Sequence, residues 1–257
     1  MSSRKNQLEA IERLLDIMDN LRENCPWDRK QTFQSLRHLT IEETYELGDA
    51  ILENDYEEVK QELGDLLLHI IFYAKIGSEQ KAFDIADIAN LISDKLIIRH
   101  PHIYGTVNAS DADEVSKNWE TIKLKEGKKS VLEGVPNSLP ALVKAFRVQE
   151  KVSGVGFDWD DSEGVLDKVK EELDEFKLEV TKNNINEMEL EFGDLLFSLI
   201  NYARFLKINP ETALELTNKK FINRFKYIES QAFRLGKKIN QLSLEEMNFF
   251  WQQAKSN

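Results

Sequence analysis

The chain repeats itself. Gly64-Asp65-Leu66-Leu67 recurs as Gly193-Asp194-Leu195-Leu196, and the same offset of 129 residues, without a gap, carries Glu62 onto Glu191, Asn54 onto Asn183 and Tyr73-Ala74 onto Tyr202-Ala203. Ile41-Glu42-Glu43-Thr44-Tyr45-Glu46 falls on Lys170-Glu171-Glu172-Leu173-Asp174-Glu175 in that register. Further along, an offset of 125 places Lys95 on Lys220 and Arg99 on Arg224, and upstream Pro26-Trp27-Asp28 resembles Asp158-Trp159-Asp160. A length of 257 residues falls between one typical domain and two, and the repeat decides the matter: a whole structural unit occurs twice. The expected division is a first unit over 1–104, a connector over 105–138 and a second unit over 139–257. Gly127, Gly134, Pro136 and Pro140 interrupt the connector region, and an acidic-basic helix is expected around 114–125.

Each unit reads as helical. Eleven Gly and five Pro are about half the usual combined share of roughly 12%, so turns are few and elements long. Leu8, Ile11, Leu14, Leu15, Met18 and Leu21 follow the spacing of one helix face. Thr40 with Glu43 three residues on predicts a capping-box start for the next helix. Asn54-Asp55 breaks the pattern, a further periodic run reaches Gly77, and another helix is expected over 82–99, ending before Pro101. In the second unit helices are expected over 163–181, 186–206, 210–234 and 243–254, with Pro210 at a helix start and Gly236 after a helix end. No stretch alternates like a strand. The fold class is all-α, as tandem helical bundles.

Composition narrows the function. Thirty-four basic against 46 acidic residues leave a net charge of −12, which repels nucleic-acid backbone and argues against a nucleic-acid partner. No run approaches the roughly 18 apolar residues of a membrane span, and the first residues lack a signal-peptide core, so no membrane association and a cytoplasmic location are expected. One Cys and four His leave little for a zinc cluster.

The acidic motif is the most informative chemistry. Each copy carries E-E-x-x-E and, after fifteen intervening residues, E-x-x-D. Glu172 and Glu175 share a helical face, as do Glu191 and Asp194. A hairpin at Asn183-Asn184 brings the two pairs to one height, since each lies seven or eight residues from the turn at about 1.5 Å per residue. Glu43, Glu46, Glu62 and Asp65 stand in the same relation. Four carboxylates converging between helices repel unless a cation neutralises them. All-oxygen donors favour Mg²⁺, with Mn²⁺ as substitute. A di-iron bundle would want Glu-x-x-His; His69 lies one turn beyond Asp65, but its counterpart is Ser198. A solvated acidic helix face is the bland alternative. Two copies in one register weigh against it, and Leu63, Leu66, Leu67, Leu190, Leu195 and Leu196 predict that these helices are buried on much of their circumference.

Basic residues supply the ligand's counter-charge. Lys220 and Arg224, like Lys95 and Arg99, are four apart on a helix following the acid hairpin and suit phosphate oxygens. On so acidic a chain a polyphosphate is best approached through a bridging metal.

These residues resemble the MazG family of nucleoside triphosphate pyrophosphohydrolases, in its two-domain form. Cys25-Pro26-Trp27-Asp28, Gln31-Thr32-Phe33, the acidic segments, Ser93-Asp94-Lys95-Leu96 with Arg99-His100-Pro101-His102, Gly156-Phe157-Asp158-Trp159 and Asn218-Lys219-Lys220-Phe221 with Arg224-Phe225 carry the resemblance over nearly the whole chain. It implies a dimeric all-α bundle that hydrolyses NTP or dNTP to NMP and pyrophosphate with Mg²⁺. The family's metal ligands fall on Glu172, Glu175, Glu191 and Asp194, and in the first copy on Glu43, Glu46, Glu62 and Asp65.

The surroundings distinguish the copies. Lys168 corresponds to Leu39 and Asn223 to Ile98, and the second copy ends in a helix carrying Phe249-Phe250-Trp251. Lys168 and Asn223 add phosphate or sugar hydrogen bonds and Trp251 offers a stacking face for a base, although a core anchor is the commoner role for such a tryptophan. The second copy is therefore expected to be the principal site, with the first weaker, regulatory or dimer-building. Glu171 and Glu175 both stand as groups to orient or deprotonate the attacking water. A ferritin-like redox protein and a helical interaction module remain the competing classes, separable by an iron spectrum and by stabilisation with Mg²⁺ plus nucleotide.

Overall fold

The computed structural model describes residues 2–105 and 130–256, among which lie ten α-helices, two 3₁₀ turns and no strand. The helix expected around 114–125 lies outside the described residues. The chain divides into two compact units, residues 1–108 and 109–257. No helix among the described residues is long and apolar enough to cross a membrane.

The first unit opens with α1 (Arg4–Asn24), capped by the Ser3 hydroxyl, which accepts from the Asn6 amide at 3.2 Å. A 3₁₀ turn, Asp28–Lys30, leads into α2 (Phe33–Glu53). This helix starts earlier than the Thr40–Glu43 spacing predicts. Thr32 and Ser35 form the capping box instead, at 3.1 and 2.8 Å, and satisfy the first-turn amides two turns upstream. Thr40 sits mid-helix, where its hydroxyl donates to the Leu36 carbonyl at 3.1 Å, a back-bond that competes with capping. Asn54 ends α2 in the left-handed region, φ 56°, which Asn tolerates better than other side-chain-bearing residues. The Asp55 carboxylate then caps α3 (Tyr56–Glu79). After α4 (Ile85–Arg99), capped by Asp84, Pro101 opens the single turn α5 (Pro101–Tyr104). Met18, Leu36, Ile71, Phe72 and Ile76 form the core between α1, α2 and α3.

The second unit repeats the plan. α6 (Ala141–Ser153) precedes Gly156-Phe157-Asp158-Trp159 as α1 precedes Cys25-Pro26-Trp27-Asp28, so the duplication includes a helix that the sequence reading does not assign. It is short, and its inward side carries polar groups: buried Gln149 donates to the Phe197 carbonyl at 2.8 Å and buried Lys151 to the Val131 carbonyl at 3.0 Å. α7 (Ser162–Lys182) turns at Asn183, again left-handed at φ 56°, into α8 (Ile185–Phe205). α9 (Pro210–Arg234) and α10 (Leu244–Ser256) close the unit over Ile228, Ala232 and Leu242.

The acid-bearing helices are not buried around most of their circumference. Leu195 is 8% exposed, but Leu63, Leu190 and Leu196 are 52%, 62% and 44% exposed. The α7–α8 hairpin packs mainly on itself and on α6, and the α2–α3 hairpin likewise closes chiefly on itself. Within its own unit, each leaves an apolar flank uncovered by the described residues.

Candidate active site

The two hairpins place their carboxylates as the repeat predicts, with one exception. In the first copy one oxygen each of Glu43 and Glu46 on α2 and Glu62 on α3 lie within 4.8 Å of one another. In the second, Glu172 and Glu175 on α7 meet Glu191 on α8 within the same limit. The left-handed asparagine fixes this register, because it folds the second helix back directly and leaves the acidic residues at equal distances from the turn. Asp65 and Asp194, the fourth expected ligands, stand outside these groups. Both are exposed, yet Asp65 raises the pKa values of Glu43 and Glu62, and Asp194 that of Glu191.

The charge of each cluster is felt by its members. Desolvation and then the neighbouring Asp65, Glu46 and Glu62 push the Glu43 carboxyl up. Glu62 rises through desolvation and the charges of Glu46, Glu58 and Asp65. Glu191 rises through desolvation, Glu175, Glu172, Asp194 and Glu179. Glu62 is 7% exposed, and its buried Oε2 has no hydrogen-bond partner. A buried, unpartnered carboxylate oxygen among other carboxylates is costly, and a cation would satisfy it. The donor sets are all oxygen and contain no Cys or His, so they fit a hard divalent ion such as Mg²⁺ or Mn²⁺. His69 is buried beside the first cluster but turned to other work: its Nδ1 lies 2.9 Å from the Thr40 hydroxyl, which is 2.7 Å from the Tyr73 hydroxyl.

Lys168 separates the two clusters. Its ammonium donates to Glu171 at 2.8 Å and reaches Glu172 at 2.7 Å, and these bonds hold the lysine well above its ordinary value. The i, i+3 and i, i+4 spacings are visible in the sequence, where the lysine is expected to hydrogen-bond a phosphate or the sugar rather than these carboxylates. Leu39, at the matching place in the first copy, is half-buried and packs on the core.

The basic residues form a second grouping. Lys220, Asn223 and Arg224 on α9 line one depression of about 500 Å³ with Tyr227 and Ala254. Trp251 is half-buried, its ring 5.0 Å from that of Phe221 and 5.5 Å from the Arg224 guanidinium, and it packs on the Ile228–Ala232–Leu242 cluster. It anchors α10 to α9 and borders the residues expected to bind phosphate. No hydrogen bond or ion pair among the described residues joins this depression to the carboxylates. In the first copy Lys95 is exposed and Arg99 half-buried at the end of α4, with Ile98, 58% exposed, where Asn223 stands in the second.

Two anchors carried no local sequence signal. Arg204 grips Asp158 with one bond at 2.9 Å and so ties α8 to the Asp158-Trp159 turn. Arg22, 9% exposed, donates to Glu79 at 2.9 Å and to the Gln31 carbonyl at 3.2 Å, and also bonds the Asp28 carbonyl. Both join residues distant in the chain, which periodicity and spacing do not reveal.

Duplicated helical hairpins that each gather three carboxylates define an all-α class of acid-clustered tandem bundles. The chain matches the MazG nucleotide pyrophosphohydrolase domain twice, over residues 31–104 and 161–228. It belongs to the MazG family. It is 42% identical over 257 residues to the nucleoside triphosphate pyrophosphohydrolase of Escherichia coli strain K12, covering 96% of this chain and 98% of that protein. It is 46% identical over 251 residues to the nucleoside triphosphate pyrophosphohydrolase/pyrophosphatase MazG of Thermotoga maritima, covering 95% of each.

Proposed function

We propose that this chain hydrolyses nucleoside triphosphates, ribo- or deoxyribo-, to the monophosphate and pyrophosphate in a Mg²⁺-dependent reaction, with the principal site in the second copy. One observation carries the reading: Glu172, Glu175 and Glu191 converge in a unit that also gathers Lys220, Asn223 and Arg224 into one depression. The activity for which relatives matched over nearly their whole length are named supports it.

A divalent ion held by Glu172, Glu175 and Glu191, with Asp194 beside them, would supply charge neutralisation for the triphosphate and lower the pKa of a bound water. The chain's own groups do the rest. Lys220 and Arg224 bind phosphate oxygens and stabilise the charge that accumulates on the departing pyrophosphate. Asn223 hydrogen-bonds the sugar or a phosphate, and Lys168 offers a further phosphate contact. Glu171, outside the three-carboxylate group, or Glu175 within it, orients the attacking water and takes its proton. Trp251 gives the base a partner at the edge of the depression.

The first copy, with Leu39 and Ile98 in place of Lys168 and Asn223, is the weaker or regulatory unit. The uncovered flank of α7 and α8, with Leu178, Leu190, Leu196 and Leu199 between 44% and 62% exposed, supports assembly as a homodimer; a cytoplasmic location goes with the proposed activity. Paired substitutions test the division of labour. Glu175→Gln abolishes turnover while Glu46→Gln retains most of it; the opposite pattern moves the principal site to the first copy.

A further inference from the structure

The two carboxylate clusters match in spacing and differ in counter-charge. In the second copy the Lys168 ammonium already lies 2.7 Å from Glu172, a side chain 8% exposed, and 2.8 Å from Glu171. In the first copy no basic side chain pairs with Glu43, Glu46, Glu62 or Asp65 among the described residues, and Leu39 fills the place of the lysine. The Glu62 Oε2 atom there is buried with nothing bonded to it, whereas no oxygen of the second cluster is left in that state.

We propose that the clusters take their metal differently: the first binds a divalent cation alone, and the second binds it weakly until a polyphosphate joins it. The inference rests on the metal-bearing role given to the second copy above. A cation entering the first cluster meets three converging carboxylates and an orphaned oxygen, with no ammonium among the described residues to displace. A cation entering the second must compete with an ammonium that makes two charge-assisted hydrogen bonds, which weakens uptake on the order of tenfold. Triphosphate oxygens remove that competition, because they give Lys168 a new acceptor as the metal arrives. Binding of metal and nucleotide is thereby coupled at the second site, and the coupling is reciprocal. The first site would stay filled whatever the nucleotide level, as a structural or regulatory cation.

The test is a Mn²⁺ titration of the full chain, with free Mn²⁺ read by electron paramagnetic resonance, first without nucleotide and then with a non-hydrolysable α,β-methylene triphosphate. Without nucleotide, the tight class of sites is expected to disappear in Glu62→Gln, and in Glu43→Gln as a second check, and to persist in Glu191→Gln. Lys168→Leu is expected to add a class of free-metal sites about tenfold tighter than the second copy shows in the unaltered chain. With the analogue, the unaltered chain gains a further class that Glu191→Gln loses. Equal filling of both clusters without nucleotide, or loss of the tight class in Glu191→Gln rather than Glu62→Gln, overturns the proposal and leaves the reaction untouched. Absence of any analogue-dependent uptake instead defeats the second-copy reading, even with the first-copy site intact.

Discussion

Lys168 and Glu172 make a sharp energetic prediction in the absence of metal. At 2.7 Å the pair's gross attraction, at an effective dielectric near 20, is ~6 kcal/mol. Lys168 is 36% exposed, so solvent screening, side-chain ordering and desolvation of Glu172 offset most of that, leaving a net of about 1 kcal/mol. The two single substitutions differ in cost. Lys168→Leu strands a nearly buried carboxylate against Glu175 and Glu191 and costs about 1–2 kcal/mol. Glu172→Gln leaves the lysine its bond to Glu171 and relieves repulsion in the cluster, so it costs about 0.5 kcal/mol or less. The double variant should resemble Glu172→Gln alone, giving a coupling of about 1–2 kcal/mol, the cost of Lys168→Leu itself. Urea unfolding of the four proteins in EDTA measures the cycle, and Mg²⁺ should restore much of what Lys168→Leu loses, since the ion replaces the missing ammonium. Strictly additive effects, or a Lys168→Leu protein more stable than the unaltered one, would mean that the ammonium does not offset the charge of Glu172.

Two further outcomes follow from the fold. Asn183 has φ 56°, so Asn183→Gly is expected to be neutral or slightly stabilising while Asn183→Val costs about 1–2 kcal/mol; equal effects in thermal unfolding would mean that the turn tolerates a β-branched residue. The Arg22 hydrogen bond holds the Glu79 carboxyl below its ordinary value of 4.5. A depressed carboxylate stabilises the folded state above its unfolded pKa, and that contribution fades as pH falls through the lower folded value. The unfolding midpoint of the first unit should therefore drop between about pH 5 and pH 3 by less in Glu79→Gln than in the unaltered chain, and matching pH profiles would contradict the assignment.

The sequence exposed the hairpins better than their surroundings. Self-comparison located both acidic pairs, and the helical period brought Glu172, Glu175 and Glu191 to one height without coordinates. Helix ends at Glu53, Lys182 and Arg234 were legible because Asn54, Asn183 and Gly236 mark them locally. Thr40 misled because a Thr-x-x-Glu spacing looks alike at a helix start and inside a helix, and the box that starts α2, Thr32 with Ser35, uses a weaker signal. The apolar spacing of α6, Leu142, Ala145, Val148 and Val152, is legible; what the sequence hides is the pairing of its buried Gln149 and Lys151 with the carbonyls of Phe197 and Val131. The aspartates share a face with Glu62 and Glu191, yet a shared face does not ensure convergence across a hairpin. Leucine content likewise predicted burial that the described residues of each unit do not provide, because periodicity gives the apolar face and not what covers it.

Cleavage between the α- and β-phosphates is the central claim. Incubating the full chain with a panel of NTPs and dNTPs and Mg²⁺, and separating the products by anion exchange, should yield monophosphate and pyrophosphate in equal amounts, abolished by EDTA. Diphosphate with orthophosphate, or cleavage undiminished by EDTA, would contradict it.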